Sequence, residues 1–435
     1  MILVDSALKF REDTDNPIQV GLVGAGYMAA GLVNQIERYV PGMRVAAIAN
    51  RNFDRALRCY HQAGVTDIST VDDVVALDLN IDSREYTVCH DPALLCHAKN
   101  IDIIVEATGT IGFAAQVVLT AAQHRKPVVL LNAEVDATLG PILKQYADRA
   151  GIILSQSDGD QPGVIMNQYR FVKGLGLTPL VAGNIKGFLD QHKNPTDMAA
   201  YARNVNQSAE MITNFTDGTK VNLEQASVAN ATGMGVAQRG MSTYRSNDHI
   251  DTLTAIYDAD QLRATGGIID YVVGPSPGPG IYVFAATDDP MVKDYLSYLK
   301  MGKGPMYSFY TPYHLCFFEV PNSIARVAHF HDPVMAPLGG PVVEVAAIAK
   351  RNLRAGEMLD GMGGFAAYGE CENAAVCRAE NLLPIGLAQG VQLKRDVPLD
   401  QAITFDDIEV PSDRLDYQLY EEQCTVFSET PSIVG

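Results

Sequence analysis

Short apolar runs alternate with helix-period stretches through the first third of the chain. Ile18–Val23 (IQVGLV) has the length and composition of a buried strand, and a glycine turn separates it from the helical stretch AGLVNQIERYV. Arg44–Ala49 (RVAAIA), Ile101–Val105 (IDIIV), Pro127–Leu131 (PVVLL) and Gly151–Ser155 (GIILS) repeat the strand pattern. Strands separated by helical periods predict an α/β fold with a parallel sheet covered by helices. The alternation then stops. Leu180–Phe188 (LVAGNIKGF) predicts a strand that emerges at Lys186, and Asp190–Ala209 is polar and rich in Asn and Gln. The loop PSPGPG between Gly274 and Gly280 can be spanned by no regular element, and IYVFAAT after it reads as a strand. From about Pro341 short strands return in VVEVAAIAKRNLRAGEMLD and LPIGLAQGVQLKRDVPLDQAITFDDIEV. Beyond Asp416 the residues are acidic and polar, which predicts a loosely held end.

At 435 residues the chain is long enough for about three domains. Lys and Arg number 33 against 51 Asp and Glu, and the net charge of −18 disfavours binding by attraction to a nucleic-acid backbone. With 47% hydrophobic and 19% charged residues, the composition is that of a packed chain and excludes a disordered one. The N-terminus lacks the pattern of a secretory signal, and no apolar run reaches the ~18 to 20 residues of a membrane helix, so a cytoplasmic protein is expected. Its seven cysteines include no CxxC pair and are expected to be reduced.

The most specific local signal is Gly24-Ala25-Gly26-Tyr27-Met28-Ala29 between strand and helix. In such a unit the first glycine permits the turn and the second lets the backbone approach a pyrophosphate. The small third residue packs helix on strand, with the phosphates at the helix N-terminus. Gly24, Gly26, Tyr27 and Met28 are therefore candidate cofactor contacts. The next strand ends at Asn50-Arg51, where an NAD enzyme would place an acid for the ribose hydroxyl. Asn50, Arg51 and Arg55 suit a 2′-phosphate, and NADP is favoured over NAD. Two further strands end at Glu106-Ala107-Thr108-Gly109-Thr110 and Asn132-Ala133-Glu134, at the sheet edge where ligands bind in open α/β folds. Ala107, Thr108, Gly109 and Asn132 are candidate cofactor contacts, and Glu134, Asp160 and Gln161 candidate substrate contacts.

In the middle of the chain, Asp217 at a turn and Lys220 in the first turn of the next helix can serve a carbonyl reduction, as can Lys186. A lysine protonates or polarises the carbonyl oxygen as hydride arrives, and carboxylates orient hydroxyls. Lys186, Asp217 and Lys220 are the candidate catalytic residues. Asn214, Glu224, Asn230 and His314 are candidate substrate contacts. A helix cap at Asp217 and a solvated Lys220–Glu224 pair explain part of the same pattern without any chemistry.

The run from Gly21 to Gly163, with VEATG and a strand ending in Asn, resembles the cofactor domain of the homoserine dehydrogenase superfamily. The segments KPVVLLNAEVDATLGPILKQYADRAG, SDGDQPG, NFTDGTKVNLEQASVANATGM and FYTPYHLCFFEV extend the likeness across nearly the whole chain. Together they resemble homoserine dehydrogenase-like oxidoreductases that end in a SAF domain, a group that includes a reductoisomerase-like enzyme of 1-deoxyxylulose 5-phosphate. The resemblance implies an NADP-binding Rossmann domain over residues 1–165, an α+β catalytic domain over 166–338, and a SAF (β-clip) domain with an acidic tail over 339–435. The chain departs from true homoserine dehydrogenases in Asn132-Ala133-Glu134, where they carry Asn-Lys, and in TDGTK, where they carry an NGTTNY-type segment. The expected function is an NADP-dependent oxidoreductase acting on a small anionic, sugar-like carbonyl or hydroxyl compound, with or without isomerisation. A divalent metal stays open and a homo-oligomer is expected. Homoserine dehydrogenation is the runner-up, and a dinucleotide-binding sensor or assembly protein without catalysis is the alternative class.

Overall fold

Burial on both faces turns the apolar runs of the first third into a parallel sheet. A computed structural model describes residues 4–428. The chain divides into two units, Met1–Gly163 with Leu315–Ala336, and Val164–His314 with Pro337–Gly435.

The first unit runs α1 (Val4–Asp13), β1 (Ile18–Val23), α2 (Tyr27–Tyr39), β2 (Met43–Ala49), α3 (Phe53–Gln62), β3 (Ile68–Thr70), α4 (Val74–Asp82), β4 (Tyr86–Cys89), α5 (Pro92–His97), β5 (Ile103–Glu106), α6 (Ile111–Gln123), β6 (Val128–Leu130), α7 (Ala133–Ala150) and β7 (Leu154–Gln156). The strand order is β3-β4-β2-β1-β5-β6-β7, and every pairing is parallel. The winding reverses between β1 and β5, which opens a crevice at their carboxyl ends. All five predicted strands are present, with ends displaced by up to three residues. The pattern of hydrophobic positions did not announce α1, because only Val4, Ala7 and Leu8 of its ten residues are buried.

Leu315–Ala336 completes this unit from far along the chain. Its short helix α14 (Val320–Ala325) contributes Val320, Ile324 and Ala325 to the core around Val20 and Leu22 of β1. Gln156 donates its N–H to Met335 O at 2.8 Å, and Asp158 donates its N–H to Ser323 Oγ at 2.6 Å. At Gly31 a Cβ would lie 2.7 Å from the Phe317 ring, so α2 needs glycine where this segment approaches.

The second unit contains α8 (Gln161–Gly174) from Val164 on, β8 (Thr178–Lys186), α9 (Pro195–Asn204), α10 (Ala209–Thr216), α11 (Thr219–Thr232), β9 (Tyr244–Arg245), α12 (Ala259–Thr265), β10 (Ile268–Val273), β11 (Gly280–Ala286), α13 (Pro290–Tyr298) and β12 (Met306–Thr311). Its sheet has the order β12-β11-β8-β10-β9. β8 is parallel to β10 and antiparallel to β11, so this sheet is mixed. The polar stretch after Asp190 holds α9, which Asn194 and Asp197 start with a reciprocal capping box.

The C-terminal part carries β13 (Val343–Ala349), β14 (Ala367–Asn373), α15 (Ala374–Ala379) and α16 (Leu415–Val426). β13 and β14 pair antiparallel, whereas the remaining predicted short strands reduce to isolated bridges such as Ala346 with Pro384 and Leu353 with Val397. The loosely held end expected beyond Asp416 is corrected: residues up to Val426 form α16, which buries Tyr417, Leu419, Tyr420 and Gln423. Tyr417 and Tyr420, spaced by three, share a helix face that the acidic composition concealed. Tyr417 donates its hydroxyl to Leu387 O at 2.9 Å, and a Cβ on Gly340 would come within 2.9 Å of Phe427. The part of that expectation that falls on residues 429–435 lies outside the described residues.

Glu344 of β13 is buried beside Tyr420, whose hydroxyl lies 3.3 Å from its Oε2. Burial pushes its carboxyl up to about 7. The fold therefore favours the neutral acid, and this contribution to stability is complete below the ordinary glutamate range and is lost as pH climbs through about 7. Glu344→Gln is expected to raise the melting temperature at pH 8 by about 5 °C and to change it little at pH 4.5, which scanning calorimetry at the two pH values checks.

Candidate active site

At the crevice of the first unit the two glycines have different duties. Gly24 has φ +108°, and a Cβ there would sit 2.9 Å from Ala107 O, so the backbone itself demands glycine. Gly26 is the N-cap of α2 with φ −85°, and no side chain caps the helix. A Cβ on Gly26 meets nothing within 4 Å. The first turn of α2 thus has no side-chain cap and the space beside Gly26 is open, the arrangement in which a helix N-terminus holds a phosphate. Tyr27 is exposed and Met28 half-buried beside it. These residues fit the pyrophosphate of a dinucleotide.

At the end of β2, Asn50 donates its side-chain amide to Asn52 O at 2.7 Å, and Asn52 caps α3 by accepting from Arg55 N at 3.1 Å. Arg51 and Arg55 are exposed and form no ion pair with another of the described residues. Two uncompensated cations at this strand end suit an adenosine 2′-phosphate. Phe53, the first residue of α3, stacks on His90 in the loop after β4 at 3.7 Å between ring centroids, a platform that sequence reasoning missed because the two residues belong to separate segments of the chain.

The β5 and β6 corners are tied together. Glu106, fully buried, accepts from Thr108 N at 2.9 Å, from the Thr108 hydroxyl, and from Asn132 Nδ2 at 2.8 Å. Asn132 also caps α7, accepting from Val135 N at 3.1 Å. Ala107 and Thr108 are half-buried, and Gly109 is exposed with φ +71°. Glu134 and Gln161 are buried, and Asp160 is half-buried and accepts from Gln161 N at 3.0 Å. Its neighbour Asp158 is clamped within the unit by Ser323 and, at 3.9 Å, by Arg326.

In the second unit the remaining candidates gather on α11. Every residue of this helix from Thr219 to Ala231 is buried, although six of them are Lys220, Asn222, Glu224, Gln225, Ser227 and Asn230. Toward β8, Glu224 Oε2 accepts from Asn184 Nδ2 at 2.9 Å and pairs with Lys186 Nζ at 3.5 Å, and Gln225 donates to Asn184 Oδ1 at 2.9 Å. The alternative of a solvated Lys220–Glu224 pair does not hold: both residues are buried, and Glu224 faces β8. Asn214 Oδ1 and Gln225 Oε1 are buried without a hydrogen-bond partner among the described residues. His314 is half-buried after β12.

The other side of α11 grips the C-terminal strands. Asp217, expected to face substrate, accepts from Thr219 N at 2.9 Å and pairs with buried Lys350 at 2.7 Å. Burial raises the Asp217 carboxyl and Lys350 opposes the rise. Lys350 also donates to Gly364 O at 2.8 Å. Thr219 Oγ1 accepts from Gly369 N at 2.9 Å and Asn222 Oδ1 from Cys371 N at 2.7 Å. Asn230, another expected substrate contact, accepts through Oδ1 from Val342 N at 2.8 Å and Val343 N at 3.2 Å. Sequence reasoning missed Lys350, which lies 133 residues from Asp217.

Residues 159–320 match the family described as oxidoreductase DRL, catalytic domain. The chain is an oxidoreductase. A search of curated proteins found no match. Among solved structures, scyllo-inositol dehydrogenase from Lactobacillus casei is 12% identical with a TM-score of 0.40, over 73% of this chain and 90% of that one. A probable dehydrogenase from Thermotoga maritima is 13% identical with a TM-score of 0.38, over 74% and 90%. A 3-ketoreductase from Actinomadura kijaniata is 14% identical with a TM-score of 0.37, over 73% and 91%. Among the described residues, no helix is long and apolar enough to cross a membrane.

Two predictions separate binding from folding. Gly26→Val is expected to leave the melting temperature within about 2 °C while weakening NADPH binding more than tenfold, read by nicotinamide fluorescence. Lys350→Met strands a buried carboxylate and is expected to cost about 3 to 5 kcal/mol in urea unfolding. Adding Asp217→Asn should recover part of that loss.

Proposed function

We propose that this oxidoreductase uses NADP to reduce, or in reverse to oxidise, a small anionic sugar-like carbonyl or hydroxyl compound. The observation that carries the reading is α11, a buried helix whose polar side chains include Lys220 and the Glu224 that holds Asn184 and Lys186. Buried polar groups need partners, and the acceptors Asn214 Oδ1 and Gln225 Oε1 are suited to substrate hydroxyls. The nicotinamide supplies hydride when bound. The chain's own residues do the rest: Lys220 or Lys186 donates a proton to the carbonyl oxygen, and Glu224 orients Lys186. Asp217 acts through the corner that begins α11 rather than on substrate. Glu134, Asp160, Gln161 and His314 are assigned to substrate binding, together with Asn214 and Glu224.

The cofactor is assigned to Gly24, Gly26, Tyr27, Met28, Asn50, Ala107, Thr108, Gly109 and Asn132, with Arg51 and Arg55 favouring NADP over NAD. The division into a Rossmann domain at 1–165, a catalytic domain at 166–338 and a SAF domain at 339–435 belongs to the same reading, as does assembly into a homo-oligomer. The most concrete version is reduction with isomerisation of 1-deoxyxylulose 5-phosphate; homoserine dehydrogenation is the second.

The test is NADPH oxidation followed by absorbance with 1-deoxyxylulose 5-phosphate, with and without Mg²⁺ or Mn²⁺, beside a panel of sugar phosphates, hydroxy acids and homoserine. Turnover with one anionic sugar-like compound is expected. Turnover with homoserine alone establishes the second reading, and NADPH binding without any turnover favours a sensor. On the substrate found, Lys220→Met or Lys186→Met should lower kcat by about 10²-fold or more with folding intact. Wild-type kcat in both variants removes the lysines from the mechanism.

A further inference from the structure

This inference rests on the cofactor reading above and deepens it. Glu106 ends β5 beside β1, where the strand order reverses, and is fully buried. Its Oε1 accepts from the backbone N–H of Thr108 at 2.9 Å and from the Thr108 hydroxyl, and its Oε2 accepts from Asn132 Nδ2 at 2.8 Å. A single carboxylate therefore joins the β5–α6 corner to the β6–α7 corner, the two loops that carry the assigned cofactor contacts Thr108 and Asn132. Asn132 cannot turn its amide over without cost, because its Oδ1 accepts from Val135 N at 3.1 Å at the start of α7. The Thr108 hydroxyl lies a further 2.9 Å from that of Thr110, so the constraint extends along the loop.

These contacts suit an ionised carboxylate, an acceptor only. A protonated acid brings a hydrogen of its own and must displace one of these donors or turn it into an acceptor. We propose that Glu106 is a positioning residue for the cofactor: ionised, it holds the Thr108 and Asn132 corners in the register that binds the dinucleotide, and protonation releases them, so that cofactor affinity falls as pH falls. Burial pushes the Glu106 carboxyl up to about 7, against the pull of Thr108 and Asn132, and Glu134 on α7 is the charged group that adds to the rise. The switch thus lies where ordinary buffers reach it.

The full-length protein is titrated with NADPH and with NADH from pH 5.5 to 9, following nicotinamide fluorescence, for the wild type, Glu106→Gln and Thr108→Val. NADH is included because the 2′-phosphate of NADPH itself titrates near ~6. For both dinucleotides, wild-type Kd is expected to rise about tenfold from pH 8 to pH 6, with a midpoint near 7. Glu106→Gln should bind more weakly at pH 8.5 and lose this dependence, and Thr108→Val, which removes a donor, should move the midpoint upward. The Thr108→Val result stands by itself if Glu106→Gln does not fold. A wild type that binds with a flat pH profile, a Glu106→Gln that keeps the wild-type slope, or a Thr108→Val with an unmoved midpoint overturns the proposal while leaving the cofactor reading intact. Failure of the wild type to bind either dinucleotide at pH 8.5 overturns the cofactor reading and this proposal with it.

Discussion

The second unit depends on one constraint: a helix buried along its whole length and lined with polar side chains must find a partner for nearly every one of them. α11 meets most of that demand on two sides, and Gln225 Oε1, Ser227 Oγ and Asn230 Nδ2 are the buried atoms it leaves without a partner among the described residues. Thr219, Asn222 and Asn230 accept backbone N–H groups of the C-terminal segment, and Asp217 at the preceding corner pairs with Lys350. Glu224 and Gln225 engage Asn184 and Lys186 at the end of β8. A polar group buried without a partner costs roughly 1 to 3 kcal/mol, so sliding the helix by even one residue would break several such contacts at once. The C-terminal strands therefore fix the position of the helix that carries Lys220.

The turn between α10 and α11 shows the same economy of conformation. Gly218 adopts φ +86°, which lets α11 start immediately after Asp217 closes α10, and Asn222 donates back to Gly218 O at 2.8 Å. On the C-terminal side, a Cβ on Gly369 would lie 2.8 Å from Val345 and 3.1 Å from Thr219, so the strand comes as near to the helix as the backbone permits. The first unit achieves comparable definition by other means. Its loops are set by Gly24 against Ala107 and by Glu106 between Thr108 and Asn132, and its core is closed by Val320 and Ile324 from a remote segment.

Legibility followed the range of the interactions. The glycine turn, β1, β2 and the strand ends at Glu106 and Asn132 could be read directly, because hydrophobic period and turn chemistry are local. Lys186 at a strand end and Asp217 and Lys220 flanking a helix start were legible as positions. Their surroundings were not: Asp217 looks the same in sequence whether it faces substrate or pairs with Lys350, 133 residues away. The acidic end misled for a related reason, since Tyr417 and Tyr420 become a buried face only when a surface exists to receive them.

By itself, then, the amino-acid sequence determined an α/β first unit, a phosphate-ready glycine turn and the presence of cations where an NAD enzyme has an acid. Each of these follows from patterns local to one strand, turn or helix. Only the tertiary structure decided that Leu315–Ala336 completes the first unit's core, that Asp217 and Asn230 serve the C-terminal segment, and that Glu106 bridges two loops. Those outcomes depend on which side chains meet after the chain has folded, and neither hydrophobic period nor local turn preference carries that information.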